Sequence, residues 1–142
     1  MVDKEKLVKY IDELKKYIQR LKELKKYSKE EFVSEWRIYD LVERNIHLAL
    51  ENFLNIGEMI ISEFSFPKPD FYADIPRILY ENKVISVELM DKLVDLARFR
   101  NVLVHDYLYL DHSKIYDKFQ NIPDTLEEFL KQIIDFIKSR EG

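Results

Sequence analysis

His47, His105 and His112 are the only imidazoles in this chain, and it has no cysteine. Without thiols, disulfide scaffolds, thiolate zinc sites and cysteine nucleophiles are excluded. The three histidines sit in different contexts. His47 lies inside a helical pattern, Asn45-Ile46-His47-Leu48-Ala49-Leu50, and reads as a packing or surface residue. His112 comes after Asp111 ahead of a short helical stretch and reads as a solvent-facing or capping residue. His105 ends a helical pattern, five residues after Arg100 and four after Asn101. Asn101 and His105 therefore share a helix face. Arg100 and His105 are separated by roughly 140° on an ideal helix, so they converge only where the helix loosens or stops.

Such a set suits RNA cleavage. The 2′-hydroxyl must lose a proton and the departing 5′-oxygen must gain one, and an imidazole does either near neutral pH. Negative charge accumulates on the phosphorane oxygens, which a permanently charged, fork-shaped guanidinium is built to hold. With the 2′-hydroxyl as nucleophile, no metal is required. On spacing alone, however, the plainer reading is favoured: a helix-end histidine beside a surface arginine. Other chemistries find less support. No His-x3-His pair occurs, and Glu43 stands four residues before His47 rather than the three of di-iron bundles. Neither a glycine-rich phosphate loop nor a Ser, His and Asp arrangement stands out.

The elements that must position these groups read as helices. The 142 residues suit one domain and hide roughly two-thirds of the unfolded surface. Two glycines and four prolines leave few breakers. Leu7, Ile11, Leu14, Ile18 and Leu21 form the apolar stripe of a first helix over about residues 3–26. Ser28 with Glu31 reads as a capping box, with Tyr27 and Phe32 as its hydrophobic staple. One long helix is then expected from Ser28 to about residue 64, carrying Phe32, Trp36, Tyr39, Ile46, Phe53 and Ile60. Gly57 inside it costs about 1 kcal/mol relative to alanine, which points to a closely packed neighbour. Pro67 and Pro69 end it. A short helix comes next, from about Ala73 to Glu81, with Pro76 in its first turn, and Ser86 caps the helix that leads to His105. A stretch near residues 112–119 is helical, Pro123 interrupts, and Thr125 with Glu128 is expected to cap the last helix. The predicted fold is all-α: an antiparallel up-and-down bundle of four long helices plus short helical segments.

Charge narrows the function further. The net charge of −4 argues against a general nucleic-acid coat protein. Residues 1–27 nevertheless carry nine Lys or Arg against five acids, a net +4, which leaves −8 for the remainder. That first helix could attract RNA phosphates, although a solvated helix face is the simpler explanation. No apolar run approaches the ~20 residues of a membrane span, and the amino-terminal residues lack a signal-peptide core. A cytoplasmic location is expected.

The string Arg100-Asn101-Val102-Leu103-Val104-His105-Asp106-Tyr107 resembles the signature of the HepT family of HEPN domains: Arg, four residues, His, one residue, Tyr. Glu43-Arg44-Asn45-Ile46 and Ile56-Gly57-Glu58-Met59-Ile60-Ile61 are similar to that family's second helix. Pro69 through Tyr72, Leu79, Val84-Ile85 and Leu89 through Leu93 fit the segments leading to the motif. Leu110-Asp111 and Ile115-Tyr116 fit the segment after the motif, so the likeness spans about residues 5–137. Asn82-Lys83 departs from it, standing where a glycine-containing turn is common. The resemblance implies a metal-independent endoribonuclease toxin, without cofactor, with Arg100 and His105 as active residues and Asn101 in support. It implies a homodimer whose two motifs line one cleft. It further implies an MNT-type nucleotidyltransferase antitoxin that adenylylates Tyr107, placing negative charge and bulk beside the RNA path. Asp106, adjacent to His105, would act on the imidazole if close enough. The rival reading is a non-catalytic helical module that docks a nucleotidyltransferase, a role for which an intact Arg100 and His105 pair is not needed.

Overall fold

The computed structural model describes residues 4–141, except for the side chain of Tyr107. Among the described residues there are seven α-helices and no strand: α1 (Lys4–Leu24), α2 (Lys29–Ser34), α3 (Trp36–Glu63), α4 (Asp74–Glu81), α5 (Val87–His105), α6 (His112–Phe119) and α7 (Ile122–Glu141). The four long ones are α1, α3, α5 and α7, as the periodicity predicts. The expected start of the first helix at residue 3 lies outside the described residues.

Each long helix buries the stripe its spacing defines. α1 turns Leu7, Ile11, Leu14, Ile18 and Leu21 onto α3 and α7. Ion pairs from Lys4 to Glu141 and from Lys22 to Glu127 align the start of α1 with the end of α7, so the two run antiparallel. Ile46, Leu50, Phe53 and Phe129 are fully buried at the centre. Phe53 meets Phe129 edge to face, with centroids 5.0 Å apart. Burial of each such side chain contributes about 1.5–3 kcal/mol relative to exposure.

Two helix boundaries differ from the sequence reading. The expected long second helix is broken at Glu35, which is extended (φ −110°, ψ 107°). Glu35 ends α2 through its N–H to the Glu31 carbonyl and begins α3 by accepting from Arg37 N. The capping box of Ser28 and Glu31 forms as expected, but it starts only the six-residue α2. The break lets Phe32 bury against the rings of Tyr39 and Tyr116 while Trp36 turns outward, 55% exposed. At the other end, Thr125 does not cap. Its N–H bonds the Asn121 carbonyl, and α7 begins at Ile122 with Pro123 in the first turn, where no donor is needed.

Gly57 has the expected reason. A Cβ there would overlap Cγ2 of Ile75, a buried residue of α4. Without that Cβ, α4 lies directly on the backbone of α3. The turn after α4 carries the opposite signature: Lys83 has φ 63°, a left-handed conformation that suits glycine, and the N–H of Val84 reaches back to the Leu79 carbonyl. Two substitutions should therefore shift the thermal midpoint in opposite directions. Gly57→Ala should destabilise by on the order of 1 kcal/mol, because overpacking against a stiff β-branched residue outweighs the helix-propensity gain. Lys83→Gly should stabilise by about 0.5–1 kcal/mol by relieving the positive φ. Denaturant titration of both variants checks this, and a Gly57→Ala protein as stable as wild type would contradict the packing argument.

Candidate active site

The end of α5 is built by caps on both sides. The Ser86 side chain accepts from Leu89 N at the start, and the helix stays regular as far as His105. Asp106 then closes it, φ −115° and ψ 27°, donating its N–H to the Val102 carbonyl. A single 3₁₀ turn, Tyr107–Tyr109, comes next, with the N–H of Tyr109 bonded to the Asp106 carbonyl at 2.9 Å. Asp111 caps α6 by accepting from the backbone of Ser113 and Lys114. The motif thus occupies the last turn of one helix and the first tight turn beyond it.

Arg100 is the most constrained residue of the motif. Its side chain is only 13% exposed, and its guanidinium makes three contacts. Nε donates to Glu51 Oε1 on α3 at 2.6 Å, and Nη1 donates to Asn101 Oδ1 at 3.1 Å. Its Cζ lies over the Tyr72 ring, 4.6 Å from the centroid. Glu51 also faces His47, with Oε1 and Nε2 3.3 Å apart. Arg44 Nη1 in turn lies 3.3 Å from His47 Nδ1. Arg44, His47 and Glu51 thus form a row on α3 that terminates at Arg100.

His105 is exposed and has no hydrogen-bond partner among the described residues. It lines a groove of about 490 Å³ together with Asn101, Tyr72, Phe71 and Glu58. Tyr72 and Asn101 therefore touch both halves of the pair: the guanidinium packs on them, and the imidazole shares their groove. Arg100 and His105 do not bond each other. Arg100 is not among the residues that line the groove, and on a helix that runs unbroken to His105 the two positions stand roughly 140° apart, so one protomer does not bring the guanidinium and the imidazole together. A larger cavity of about 810 Å³ between α5, α6 and α7 contains no histidine and no arginine.

The other residues singled out from the sequence take different roles. Asn101 orients Arg100 and borders the groove. Asp106 is exposed, forms no ion pair with His105 among the described residues, and acts through its backbone as the helix cap. The backbone of Tyr107 begins the 3₁₀ turn; its side chain is outside what the structure describes. His112 is not a solvent-facing or capping residue, since Asp111 caps α6. Its ring stacks on Tyr39 with centroids 3.7 Å apart, and Nδ1 lies 2.6 Å from Glu43 Oε2. Burial pushes the Glu43 carboxyl above its usual range and Asp40 adds to this, while the hydrogen bond and charge of His112 pull it down. This pair ties α6 to α3 just beyond the motif turn. Among the described residues, no three His, Asp or Glu side chains gather as a metal cage. Glu51, Tyr72 and Arg44 escaped the sequence reading. Only the i, i+4 spacing of His47 and Glu51 hinted at their pairing, and nothing local linked either to Arg100.

Comparison with known proteins agrees with this architecture. The family described as Ribonuclease HepT-like matches residues 14–133. YutE of Bacillus subtilis is 31% identical over 96 residues, covering 68% of this chain and 67% of that one. The mRNA nuclease HepT of Shewanella oneidensis is 28% identical over 109 residues, 77% of this chain and 79% of that one. The solved structure of YutE, a cytosolic protein, superposes with a TM-score of 0.82 at 28% identity, covering 98% of this chain and 93% of that one. The tri-AMPylated HEPN toxin of Shewanella oneidensis, solved in complex with its MNT antitoxin, also reaches 0.82, at 23% identity over 91% of this chain and 96% of that one. With the family match spanning most of its length, this chain belongs to the HepT-like ribonuclease family.

Proposed function

We propose that this protein is the metal-independent endoribonuclease toxin of a toxin–antitoxin pair, acting as a homodimer through Arg100 and His105. The observation that carries the reading is the shared setting of the two groups: Arg100 packs on Tyr72 and Asn101, and His105 lines the groove those residues form. A scissile phosphate in the groove meets the imidazole of its own chain, and a guanidinium, which does not line that groove, would join it across the cleft of a dimer. An imidazole takes the proton from the 2′-hydroxyl, and the oxygen attacks phosphorus. The O2′–P bond forms as the P–O5′ bond breaks, and a second imidazole gives a proton to the departing O5′. The products are a 2′,3′-cyclic phosphate and a 5′-hydroxyl. Each chain has one motif histidine, so a dimer that joins two motifs in one cleft supplies both imidazoles. Arg100 balances the charge that builds on the non-bridging oxygens.

Apolar surface supports assembly around this site. Leu108 and Tyr109, on the turn with Tyr107, are 75% and 86% exposed. A second protomer or an antitoxin would cover them. The relative of known assembly is an AMPylated toxin bound to an MNT antitoxin. By analogy, an MNT-type nucleotidyltransferase silences this chain by adenylylating Tyr107. The adduct would stand two residues from His105 and oppose an incoming RNA backbone by charge and bulk.

Arg100→Ala and His105→Ala should each lower RNA cleavage by about 10²–10⁴-fold while leaving the thermal midpoint of His105→Ala unchanged, because that imidazole is exposed and makes no bond to another described side chain. Wild-type activity should survive EDTA. Cleavage of total RNA by either purified variant at the wild-type rate would reject the proposal and favour a docking module. Co-expression with an MNT-type antitoxin should add one or more adenylate groups to the intact mass, and Tyr107→Phe should abolish the gain at that position. An unmodified wild-type mass would remove the assigned mode of silencing.

A further inference from the structure

We infer that Glu51 is the positioning residue for Arg100 and that His47 holds Glu51 in turn; the inference rests on Arg100 being the phosphate-binding group. Three contacts fix the guanidinium plane. A charge-assisted bond from Nε to Glu51 at 2.6 Å anchors one edge, the Tyr72 ring supports one face, and Asn101 takes one hydrogen of Nη1. An arginine has five N–H groups, so both hydrogens of Nη2 and one of Nη1 remain. One hydrogen of Nη2 points off the end of the fork, where a phosphate oxygen can take it. Glu51 thus takes the side edge of the fork and leaves its end for the substrate.

The hydrogen-bond roles in the row are set by the donors. Arg44 can only donate, so His47 Nδ1, 3.3 Å from its Nη1, accepts. In the neutral ring the hydrogen is then on Nε2, which faces Glu51 Oε1 at 3.3 Å and donates to it. Arg100 and His47 thereby converge on one carboxylate oxygen, and residues 44, 47 and 51 lie on one face of a rigid helix. The site does not need Glu51 for charge. A carboxylate beside a phosphate opposes RNA binding, so its benefit is confined to orientation. The two effects separate in kinetics: orientation appears in kcat, and repulsion in KM.

Single-turnover and steady-state cleavage of a labelled single-stranded RNA oligonucleotide that the wild-type protein cuts provides the test. Glu51→Ala should lower kcat about ten-fold with KM unchanged or lower. Glu51→Gln keeps an acceptor oxygen and should recover kcat to within about three-fold of wild type, with KM lowered by loss of the charge. His47→Ala should lower kcat about three-fold. In an Arg100→Ala background, Glu51→Ala should cause no further loss, because its effect passes through the guanidinium. The inference is overturned by wild-type kcat in Glu51→Ala, by Glu51→Gln being as slow as Glu51→Ala, or by an equal loss with and without Arg100. Should Glu51→Ala fail to fold, Glu51→Gln within about three-fold of wild type together with an about three-fold loss in His47→Ala upholds the inference, and wild-type kcat in His47→Ala or an about ten-fold loss in Glu51→Gln overturns it. Full activity of Arg100→Ala alone would instead bring down the assignment of Arg100, which separates the two failures.

Discussion

The backbone contact at Gly57 is the constraint that sets the geometry of the site. Ile75 occupies the space a side chain on residue 57 would need. This draws α4 onto α3, and the segment just before α4 comes with it. Asp74 accepts from the backbone of Asp70 and Phe71, and the Tyr72 carbonyl accepts from Ile75 N, so that segment is tied to the start of α4. Tyr72 is thereby carried to Arg100 on α5, which meets Glu51 on α3 from the other direction. Three separate stretches of chain converge on one guanidinium because two helices touch where one has no side chain.

Electrostatics around the motif do not match the pattern of a basic nucleic-acid surface. The net charge is −4, and the cations of the site are partnered: Arg100 with Glu51, and Arg44 with His47. The basic first helix spends part of its charge on structure. Lys4 and Lys22 pair with Glu141 and Glu127 of α7, and Lys16 pairs with Glu13. Such exposed pairs add little stability, but they reduce the field available for phosphates. If Arg100 holds the phosphate as proposed, RNA would be recognised by a small number of oriented donors rather than by a broad positive potential. That makes the orientation of Arg100 more consequential than its charge alone.

Periodicity and punctuation carried most of the fold. The stripe of α1, the caps at Ser28 and Ser86, and the need for a neighbour at Gly57 were all readable, because each rests on a local rule, whereas α3 ends at Glu63 with left-handed Ser65 behind it, before either Pro67 or Pro69 is reached. The break at Glu35 was not. Glutamate is a good helix former, and the apolar series Phe32, Trp36, Tyr39 is consistent with a continuous helix. The turn is visible only in the tertiary packing, where it seats Phe32 against Tyr39 of α3 and Tyr116 of α6. Pro123 misled in the opposite sense, since the same residue ends a helix or begins one depending on tertiary context. At the candidate site, Arg100 and His105 were singled out through their motif. Glu51 and Tyr72 were not, because 49 and 28 residues separate them from Arg100 and no spacing rule reaches that far. His112 looked like a loop residue because its partners, Tyr39 and Glu43, lie on a helix distant in sequence.

The helix end sets where each part of the motif can reach. Through residue 105, regular geometry keeps Arg100 toward α3 and His105 toward the open groove. The Asp106 cap then turns the chain, so residue 107 begins a 3₁₀ turn rather than a further helical turn. A tyrosine continuing the helix would take the direction of Leu103 and Val104, which are half-buried. The cap removes that constraint and releases the motif turn to the surface, where Leu108 and Tyr109 are exposed. Beyond it, the His112 pair with Glu43 fixes the chain again on α3. The turn is therefore bounded by two anchors on the same core.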